Sequence, residues 1–357
     1  MLGSDPGHAM VIGIDARTTE NQYKGRGIGN YTEHTIEWLP KVDPSVEIET
    51  RDFSRIDVFL QPNFWDGFPT ISAPKVLMMH DLTPLVTNHF TERGSLINFA
   101  KGVLYRLKMQ NIKKADAILT NSEQTKEDVI KYAGVDPSIV HRVYLGVDEE
   151  FRTTEIVPRE ERGDYILFVG GVEANKNVLR LLEAFAVIKS QIPNPKLMIP
   201  GGQFVNEDKI ETKMIKTKVK ELELEDSVEF PGFVEQSGLV ELYRKALVFV
   251  YPSYYEGFGF PVLEAMACGT PVVSSNASSL PEVGGPPDLP AGKAGVGAVV
   301  YVDPFSVESI AGGILEVLNF DAFEYQSQIE RGLEQSKKFS WEKCARETLE
   351  VLKSVLE

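Results

Sequence analysis

The sequence contains very little cysteine. Cys268 and Cys344 are the only two cysteines in 357 residues. Two cysteines are too few for a disulfide framework, and their separation is not that of a metal site. We therefore expect a protein of a reducing compartment, and cytoplasmic is the default prediction.

Long apolar runs and an excess of positive charge are also missing. No apolar run approaches the roughly 20 residues that span a bilayer. The formal net charge is −15, which argues against nucleic-acid binding driven by counterion release. The hydrophobic content of 43% and charged content of 25% are those of a soluble globular protein. The length predicts two domains of ordinary size.

The first nine residues differ in character from the rest. We interpret residues 1–9 as an expression scar that precedes a natural start at Met10. The apolar run Met10–Ile14 is too short for a signal peptide, so a first buried strand is predicted there.

Short apolar runs then alternate with helical patterns along the whole chain, which predicts an α/β fold with parallel sheets. Five strands are predicted before residue 150 and six after it, and none is predicted between Leu39 and Asp57. The polar stretch from Glu149 to Asp164 separates two halves of similar kind. We therefore predict one domain over residues 10–150 and a second over residues 151–340.

Residues 252–274 carry the most informative pattern. The apolar run Leu247–Tyr251 leads into a glycine-bearing loop with Glu256, and a predicted helix follows with Glu264. Pro261 suits the first helical turn, and Gly269 ends the helix. A strand, a glycine loop and a helix N-terminus form an anion site, because backbone N–H groups and the helix dipole point to one place.

This stretch, PSYYEGFGFPVLEAMACGTPVVSS, resembles the Glu-x7-Glu signature of the family 4 retaining glycosyltransferases, particularly their mannosyltransferase-like members. The resemblance implies the GT-B fold, in which two Rossmann-like domains with parallel sheets face each other across a cleft. It implies an acceptor-side first domain and a nucleotide-sugar-binding second domain. The final helix, residues 341–357, is then expected to cross back to the first domain.

The same resemblance assigns roles to residues of this stretch. Glu256 would contact hydroxyls of the donor sugar, and Glu264 would hold the ribose of the nucleotide. The amides of Gly257, Phe258 and Gly259 would lie at the donor and its diphosphate. The alternative is a strand–loop–helix unit whose glutamates are merely solvated.

A second glycine loop, Lys24–Tyr31, follows the first predicted strand. Its glycines do not match the dinucleotide fingerprint, which disfavours an NAD site. It resembles the first glycine loop of the family, near the donor phosphates, and this implies donor contacts for Gly27 and Gly29. A tight turn without ligand contact is the alternative.

His80 follows the apolar run Val76–Met79 and so ends a predicted buried strand, where α/β sites place catalytic groups. The segment His80–Leu85 resembles the family's His-Asp motif, which implies a histidine close to the reacting carbon. The alternative is a structural histidine.

Lys176 lies in the segment YILFVGGVEANKN, a strand that runs into a loop and a helix. Its point charge is suited to neutralise a diphosphate. Many family members have an arginine where this chain has Gly171, so Lys176 would carry that task in this loop unless another residue, such as Arg26, contributes. A solvated lysine at a helix start is the alternative.

The segment 93–114 contains six basic residues and no acidic ones, interleaved with apolar residues. Such an amphipathic stretch could contact the anionic inner face of a membrane. A core-facing helix with a solvated basic side is the alternative.

The chain contains no Asp-x-Asp pair. Consistent with this, the resemblance implies a metal-independent retaining hexosyltransferase that uses no cofactor. Its donor would be a nucleotide diphosphate sugar, UDP-glucose-type or GDP-mannose. Its acceptor would be a hydroxyl of a glycan or lipid-linked saccharide, and nucleic acid is not expected as a partner. The alternatives are a GT-B-fold sugar-nucleotide epimerase, an inactive nucleotide- or glycan-binding scaffold, and an NAD-dependent dehydrogenase.

Overall fold

The structure is a computed structural model. It describes residues 9–21, 27–87, 102–103, 105, 107–153, 155–206, 208–286 and 297–357. The chain divides into two compact units: unit 1 is Met1–Gly146 with Phe339–Glu357, and unit 2 is Val147–Lys338. The sequence analysis placed the boundaries at residues 150 and 340. The assignment of acceptor and donor to the two units stays a prediction.

Within the described residues, each unit is built on a six-stranded sheet in which every strand pairing is parallel. The strands of unit 1 are β1 Met10–Ile14, β2 Val46–Glu49, β3 Val58–Gln61, β4 Lys75–Met79, β5 Ala117–Thr120 and β6 Val140–Arg142. Those of unit 2 are β7 Tyr165–Leu167, β8 Lys196–Met198, β9 Val228–Glu229, β10 Val248–Tyr251, β11 Val272–Ser275 and β12 Val300–Val302.

Helices connect the strands. Those with both ends described are α1 Gly27–Val42, α2 Thr83–Val86, α3 Glu123–Ala133, α4 Val178–Lys189, α5 Ile210–Glu221, α6 Gln236–Lys245, α7 Phe260–Ala267, α8 Leu280–Gly284, α9 Val307–Asn319, α10 Ala322–Ser336 and α11 Trp341–Ser354. Side chains cap several of them: Ser122 accepts a hydrogen bond from the Thr125 amide, and Asp321 and Glu324 form a capping box. Across the described ranges, every helix falls short of the length and apolar character that crossing a membrane requires.

The strand order explains where ligands can bind. Unit 1 has the order β2-β1-β3-β4-β5-β6, and unit 2 has the order β12-β11-β10-β7-β8-β9. Numbered within unit 2, the second order is 6-5-4-1-2-3, the arrangement of the Rossmann fold. The order reverses between β1 and β3 in unit 1 and between β7 and β10 in unit 2. Ligands in such sheets bind outside the carboxyl ends of the strands at this switch point.

The central strands are buried on both faces, as expected for parallel sheets covered by helices. All four residues of β3, β5, β10 and β11 are buried. The core of unit 1 also contains Tyr105, Met109 and Ile112 from the predicted basic segment 93–114. This agrees with the core-facing alternative for that part of the segment. Residues 93–101, 104 and 106 lie outside the described residues, and membrane contact stays a prediction.

The sequence predicted the parallel α/β fold correctly, and each of its eleven strands is present within a few residues. It missed β2, which forms the edge of the first sheet. Val46 is buried but Glu47 is exposed and the last two residues are half-buried. An edge strand of this composition has no continuous apolar run, so the pattern did not reveal it.

The C-terminal helix α11 packs against α1 within unit 1. The His34 ring stacks on the Trp341 ring with centroids 4.3 Å apart, and Lys353 Nζ lies 2.7 Å from Asp43 Oδ2. Gly146 is buried where the chain leaves unit 1, and a Cβ atom there would overlap the backbone nitrogen of Trp341. A glycine is therefore required for α11 to dock.

We expect Gly146→Ala to lower the free energy of unfolding by about 1–3 kcal/mol, the usual cost of an overpacked core. Urea denaturation followed by circular dichroism measures the change. Gly312→Ala is the matched control, because Gly312 is an exposed residue inside α9 with open space at its Cβ position. That control should be neutral or stabilising by roughly 0.5–1 kcal/mol. Equal effects of the two substitutions would contradict the steric explanation.

Candidate active site

Two loops meet at the switch point of unit 2. Lys176 ends the short 3-10 turn Ala174–Lys176, which follows β7, and Glu256 lies in the loop that follows β10. Strands β7 and β10 are neighbours in register, with Ile166 opposite Val248. Because the strands are parallel, both loops leave the same edge of the sheet. This brings Lys176 and Glu256 together although 80 residues separate them.

Lys176 and Glu256 form an ion pair. The Lys176 Nζ atom lies 2.8 Å from each carboxylate oxygen of Glu256. The Tyr251 hydroxyl accepts a hydrogen bond from Lys176 Nζ and donates to Glu256 Oε1, both at 2.9 Å. Ser253 Oγ lies 2.6 Å from the same carboxylate oxygen. The side chains of Lys176 and Glu256 are 20% and 11% exposed, so both charges are largely removed from water.

In this ion pair, each charge offsets the unfavourable effect of burying the other. Burial opposes the charge of Lys176, but the carboxylate of Glu256 outweighs it and raises the pKa of Lys176 above its ordinary value. Burial also raises the pKa of Tyr251, and the Glu256 carboxylate adds to this rise. Lys176 is therefore a cation and Tyr251 a neutral hydroxyl throughout the physiological pH range.

Serine side chains fix the backbone of the Glu256 loop. Ser278 Oγ donates to the Glu256 carbonyl oxygen at 2.6 Å, and Ser279 Oγ donates to the Phe258 carbonyl oxygen at 2.7 Å. Gly259 has φ of 121° directly before α7, and a Cβ atom there would lie 2.7 Å from Leu280 Cδ2. Both conditions require glycine at this position. The loop therefore has one well-defined path from Glu256 to the helix.

Glu264 lies on α7, the helix that Gly257, Phe258 and Gly259 lead into. The helix has Pro261 in its first turn, as the sequence predicted, and ends before Gly269 with φ of 70°. The Tyr243 hydroxyl donates a hydrogen bond to Glu264 Oε2 at 2.9 Å. Burial raises the pKa of Glu264 to about 7, and the negative charge of Asp148 adds to the rise while the Tyr243 hydrogen bond opposes it.

His80 lies in unit 1, directly after β4. Its Nε2 is 3.1 Å from the carbonyl oxygen of Pro62, which can only accept, so Nε2 carries the proton. The Nδ1 atom of the neutral ring is then the acceptor. Burial lowers the pKa of His80 to about 4, and the ring is therefore neutral at physiological pH. Asn121 donates to the His80 carbonyl oxygen at 2.9 Å.

A polar cluster that the sequence patterns did not reveal lies at the switch point of unit 1. Asp15 follows β1 and is bound by Arg17, whose Nε lies 2.9 Å from Asp15 Oδ1. Gln61, the last residue of β3, donates to Asp15 Oδ2 at 3.0 Å and joins the two strands. Burial acts to raise the pKa of Asp15, but the hydrogen bonds from Arg17 and Gln61 outweigh it and lower that pKa. The signal was the polar pair Asp15 and Arg17 directly after the first apolar run.

The other predicted donor residues are only partly described. Gly27 is the first residue of α1, and Gly29 is buried in its first turn. Residues 22–26 of that glycine loop lie outside the described residues. Gly27, Gly29 and His80 belong to unit 1, whereas Lys176, Glu256 and Glu264 belong to unit 2. The structure brings Lys176 and Glu256 into contact, and the ligand contacts of all these residues stay predictions.

The sequence also missed the partners of the two glutamates. It treated Lys176 as a diphosphate ligand alone and gave no role to Tyr251 or Tyr243. Within the described part of the chain, no group of three or more His, Cys, Asp or Glu side chains could hold a metal ion. This observation does not test whether the reaction is independent of metal ions, which stays a prediction.

Comparison with protein families identifies this arrangement. Residues 150–334, more than half of the chain, match the family model described as "Glycosyl transferases group 1". Residues 18–151 match the model described as "Glycosyltransferase Family 4". The chain therefore belongs to the group 1 glycosyl transferases, as the Glu-x7-Glu resemblance predicted.

Several similar curated proteins are mannosyltransferases. O-antigen chain mannosyltransferase B of Escherichia coli is 29% identical over 304 residues, covering 83% of this chain and 74% of that protein. Serotype-specific mannosyltransferase WbdA of Escherichia coli is 28% identical over 313 residues, covering 82% of this chain. The matched region is 36% of WbdA, so this chain corresponds to only part of that protein.

Solved structures confirm the GT-B fold. Sucrose-phosphate synthase of Thermosynechococcus elongatus has a TM-score of 0.74 at 18% identity, covering 97% of this chain and 98% of that one. Anabaena HepE in complex with UDP and glucose has a TM-score of 0.71 at 17% identity, covering 97% and 100%. At these identities the likeness concerns the fold alone.

The raised pKa of Glu264 makes stability depend on pH. Its pKa lies above the ordinary value of 4.5, so its contribution to stability is complete below pH 4.5 and is lost as the pH rises through about 7. Glu264→Gln removes this titration and keeps an oxygen that can accept from Tyr243. We expect the difference in free energy of unfolding between the variant and wild type to rise in favour of the variant by about 1–3 kcal/mol from pH 5 to pH 8, at about 1.4 kcal/mol per pKa unit.

Urea denaturation at the two pH values measures this difference. Glu330→Gln, an exposed position on α10, is the control and should leave the pH dependence unchanged. If Glu264→Gln differed from wild type in free energy of unfolding by the same amount at pH 5 and at pH 8, the burial argument would be contradicted.

Proposed function

We propose that the protein is a retaining mannosyltransferase that moves mannose from GDP-mannose to a hydroxyl of a glycan or lipid-linked saccharide. The observation that carries the proposal is the Lys176–Glu256 ion pair at the switch point, with Glu264 on the helix that follows. This arrangement offers one cation, two carboxylates and a helix N-terminus at one edge of a Rossmann sheet. A nucleotide diphosphate sugar needs each of these groups.

The choice of mannose is supported by the relatives. O-antigen chain mannosyltransferase B covers most of this chain, and mannosylfructose-phosphate synthase of Agrobacterium fabrum is 26% identical over 67% of it. The names of both proteins refer to mannose. The UDP and glucose complexes belong to HepE at 17% identity, which supports the fold and not the donor. UDP-glucose is therefore the second donor to test.

The ion pair explains how the donor could be recognised. Without ligand, Lys176 and Glu256 satisfy each other. The donor diphosphate offers Lys176 anionic oxygens, and the sugar hydroxyls offer Glu256 hydrogen-bond donors. A complete nucleotide sugar can therefore replace both halves of the ion pair, so neither charge is left buried without a partner. A ligand with only one of the two parts leaves one charge uncompensated.

Catalysis then follows from charge development on the donor. As the sugar–phosphate bond breaks, negative charge grows on the leaving diphosphate and positive charge on the sugar ring. We assign Lys176 and the backbone amides around Gly257–Gly259 to the leaving diphosphate. Glu256 holds the sugar through its carboxylate, which the Tyr251 hydroxyl keeps in place. We propose attack on the same face, with the leaving phosphate taking the acceptor proton.

His80 is proposed to act as a neutral hydrogen-bonding group near the reacting sugar. Its lowered pKa and the Nε2–H bond to Pro62 leave Nδ1 as an acceptor for a hydroxyl. A neutral ring does not neutralise phosphate. This separates the proposed role of His80 from that of Lys176.

The relatives' names also support a polysaccharide acceptor. O-antigen chains are saccharide polymers, and a lipid-linked acceptor would lie at the inner face of a membrane. The basic segment 93–114 is the proposed contact with that surface, and the protein is otherwise proposed to be cytoplasmic. No cofactor and no metal are assigned to the reaction.

A donor panel tests the proposal. GDP-mannose, UDP-glucose and an ADP-sugar are incubated with the full chain, with and without O-antigen-type oligosaccharide acceptors, in the presence of EDTA. We expect mass spectrometry to show addition of one hexose from GDP-mannose, only when acceptor is present. Conversion of the donor without acceptor would support an epimerase instead. NADH turnover without donor binding would refute the proposal.

Substitutions test the two halves of the ion pair. We expect Glu256→Ala and Lys176→Ala each to lower kcat by about 10²–10³, as removal of a group that stabilises transition-state charge does. Glu330→Ala, an exposed substitution on α10, should keep wild-type kcat. Circular dichroism confirms that each variant is folded before kinetics are measured. Transfer at the wild-type rate by Glu256→Ala would remove that residue from the mechanism.

A further inference from the structure

Each glutamate of the Glu-x7-Glu motif is bound by the hydroxyl of a fully buried tyrosine. Tyr251 donates to Glu256, and Tyr243 donates to Glu264, in both cases at 2.9 Å. Both tyrosines have 0% exposure. Phe249 lies between their rings, with centroids 5.4 Å from Tyr243 and 5.9 Å from Tyr251. The two hydroxyls are therefore held by one aromatic core.

We propose that Tyr251 and Tyr243 are positioning residues that orient the two glutamates for separate tasks, Tyr251 for sugar transfer and Tyr243 for nucleotide binding. This inference rests on the proposed function, which gives Glu256 the sugar and Glu264 the ribose. Neither tyrosine contacts substrate in this proposal, because both are buried beneath the carboxylates.

Tyr251 determines which oxygen of Glu256 faces the sugar. Its hydroxyl and Ser253 Oγ lie at hydrogen-bond distance from Glu256 Oε1, and Lys176 Nζ contacts both oxygens. Within the described part of the chain, Lys176 is the only hydrogen-bond partner of Oε2. When the diphosphate attracts Lys176, Oε2 becomes the acceptor for sugar hydroxyls, and Oε1 stays bound to Tyr251. The carboxylate then keeps its orientation while its ligand changes.

Tyr251 is itself held rigidly. Its ring stacks on Phe168 and Phe249, each with centroids 5.9 Å away. Its single proton points to Glu256, because Lys176 can only donate. A phenylalanine would keep this packing and lose only the hydroxyl.

Tyr243 plays the corresponding part for Glu264. Its hydroxyl donates a hydrogen bond to Glu264 Oε2, which leaves Oε1 to accept hydrogen bonds from the ribose. Its backbone carbonyl oxygen accepts a hydrogen bond from Thr270 Oγ1 at 2.6 Å, which fixes the end of α6. The titratable groups that face Glu264 are Tyr243 from α6, Asp148 at the start of unit 2 and Cys268 at the end of α7. Among them, Tyr243 favours the ionised carboxylate, which accepts hydroxyls best.

The experiment compares Tyr251→Phe and Tyr243→Phe in the full chain. Tyr325→Phe is the matched control, since Tyr325 is 3% exposed and its hydroxyl also donates to a neighbour, the Leu247 carbonyl oxygen. We measure kcat and KM for GDP-mannose, and Kd for GDP from pH 5.5 to 8.5. If the donor panel identifies UDP-glucose as the donor, UDP-glucose is used in place of GDP-mannose and UDP in place of GDP. Thermal melting of the three variants measures how much stability each loses with its buried hydroxyl.

Two separate effects are expected. Tyr251→Phe should lower kcat about 10-fold or more, because the sugar holder Glu256 loses a charge-assisted hydrogen bond. It should change the Kd for GDP by less than about 3-fold, because Lys176 loses the Tyr251 oxygen but keeps both oxygens of Glu256 as partners. Tyr243→Phe should weaken GDP binding about 5-fold near pH 7 and leave kcat near wild type at saturating donor. The midpoint of its Kd–pH curve should move to higher pH, because Glu264 loses the bond that favours its ionised form.

The Glu264→Gln background removes that titration. In it, Tyr243→Phe should cause no further shift of the Kd–pH curve, and a persisting shift would place the effect elsewhere. If both tyrosine variants match Tyr325→Phe in kcat, Kd and pH profile, the inference is overturned.

A different result would contradict the proposed function, which assigns the sugar to Glu256 and the ribose to Glu264. Wild-type transfer and GDP binding by Glu256→Ala and Glu264→Ala would refute the roles of the glutamates themselves. Defective glutamate variants with normal tyrosine variants would refute only the positioning inference.

Discussion

The buried ion pair between Lys176 and Glu256 is the interaction on which the rest of the unit 2 site depends. Neither charge could be buried alone, because an unpaired ion loses its hydration without compensation. With a separation of 2.8 Å, each charge satisfies the other. The pair also connects the loop after β7 to the loop after β10. The pair thus holds these two loops together.

The topology of the sheet explains why these two residues meet. At the switch point, β7 and β10 are neighbours, while their connections turn to opposite sides of the sheet. In sheets of this kind, loops that diverge at such a point leave a crevice in which ligands bind. Unit 1 repeats the arrangement, since Gln61 at the end of β3 donates a hydrogen bond to Asp15 after β1. Both Rossmann-like units therefore place hydrogen-bonded charges where their strand order reverses.

Local patterns in the sequence predicted most of the fold and the two glutamates. Buried strands such as Ala117–Thr120 are continuous apolar runs, and the Glu-x7-Glu stretch is local, so one sequence reveals both. The ion pair joins residues 80 positions apart, and no local pattern contains it. Tyr251 ends an apolar strand, where a tyrosine reads as a core aromatic. Only the three-dimensional structure shows that its hydroxyl meets two charges.

The charge balance of the site limits how an anionic donor can bind. The chain has a net charge of −15, so its long-range field does not attract a nucleotide diphosphate. Lys176 is neutralised by Glu256, and Glu264 adds negative charge when it ionises with a pKa of about 7. In the proposed function, affinity therefore comes from short-range contacts: backbone amides at the start of α7, and a lysine that is released when sugar hydroxyls satisfy Glu256. On that proposal, recognition of the phosphate and recognition of the sugar are coupled through one ion pair.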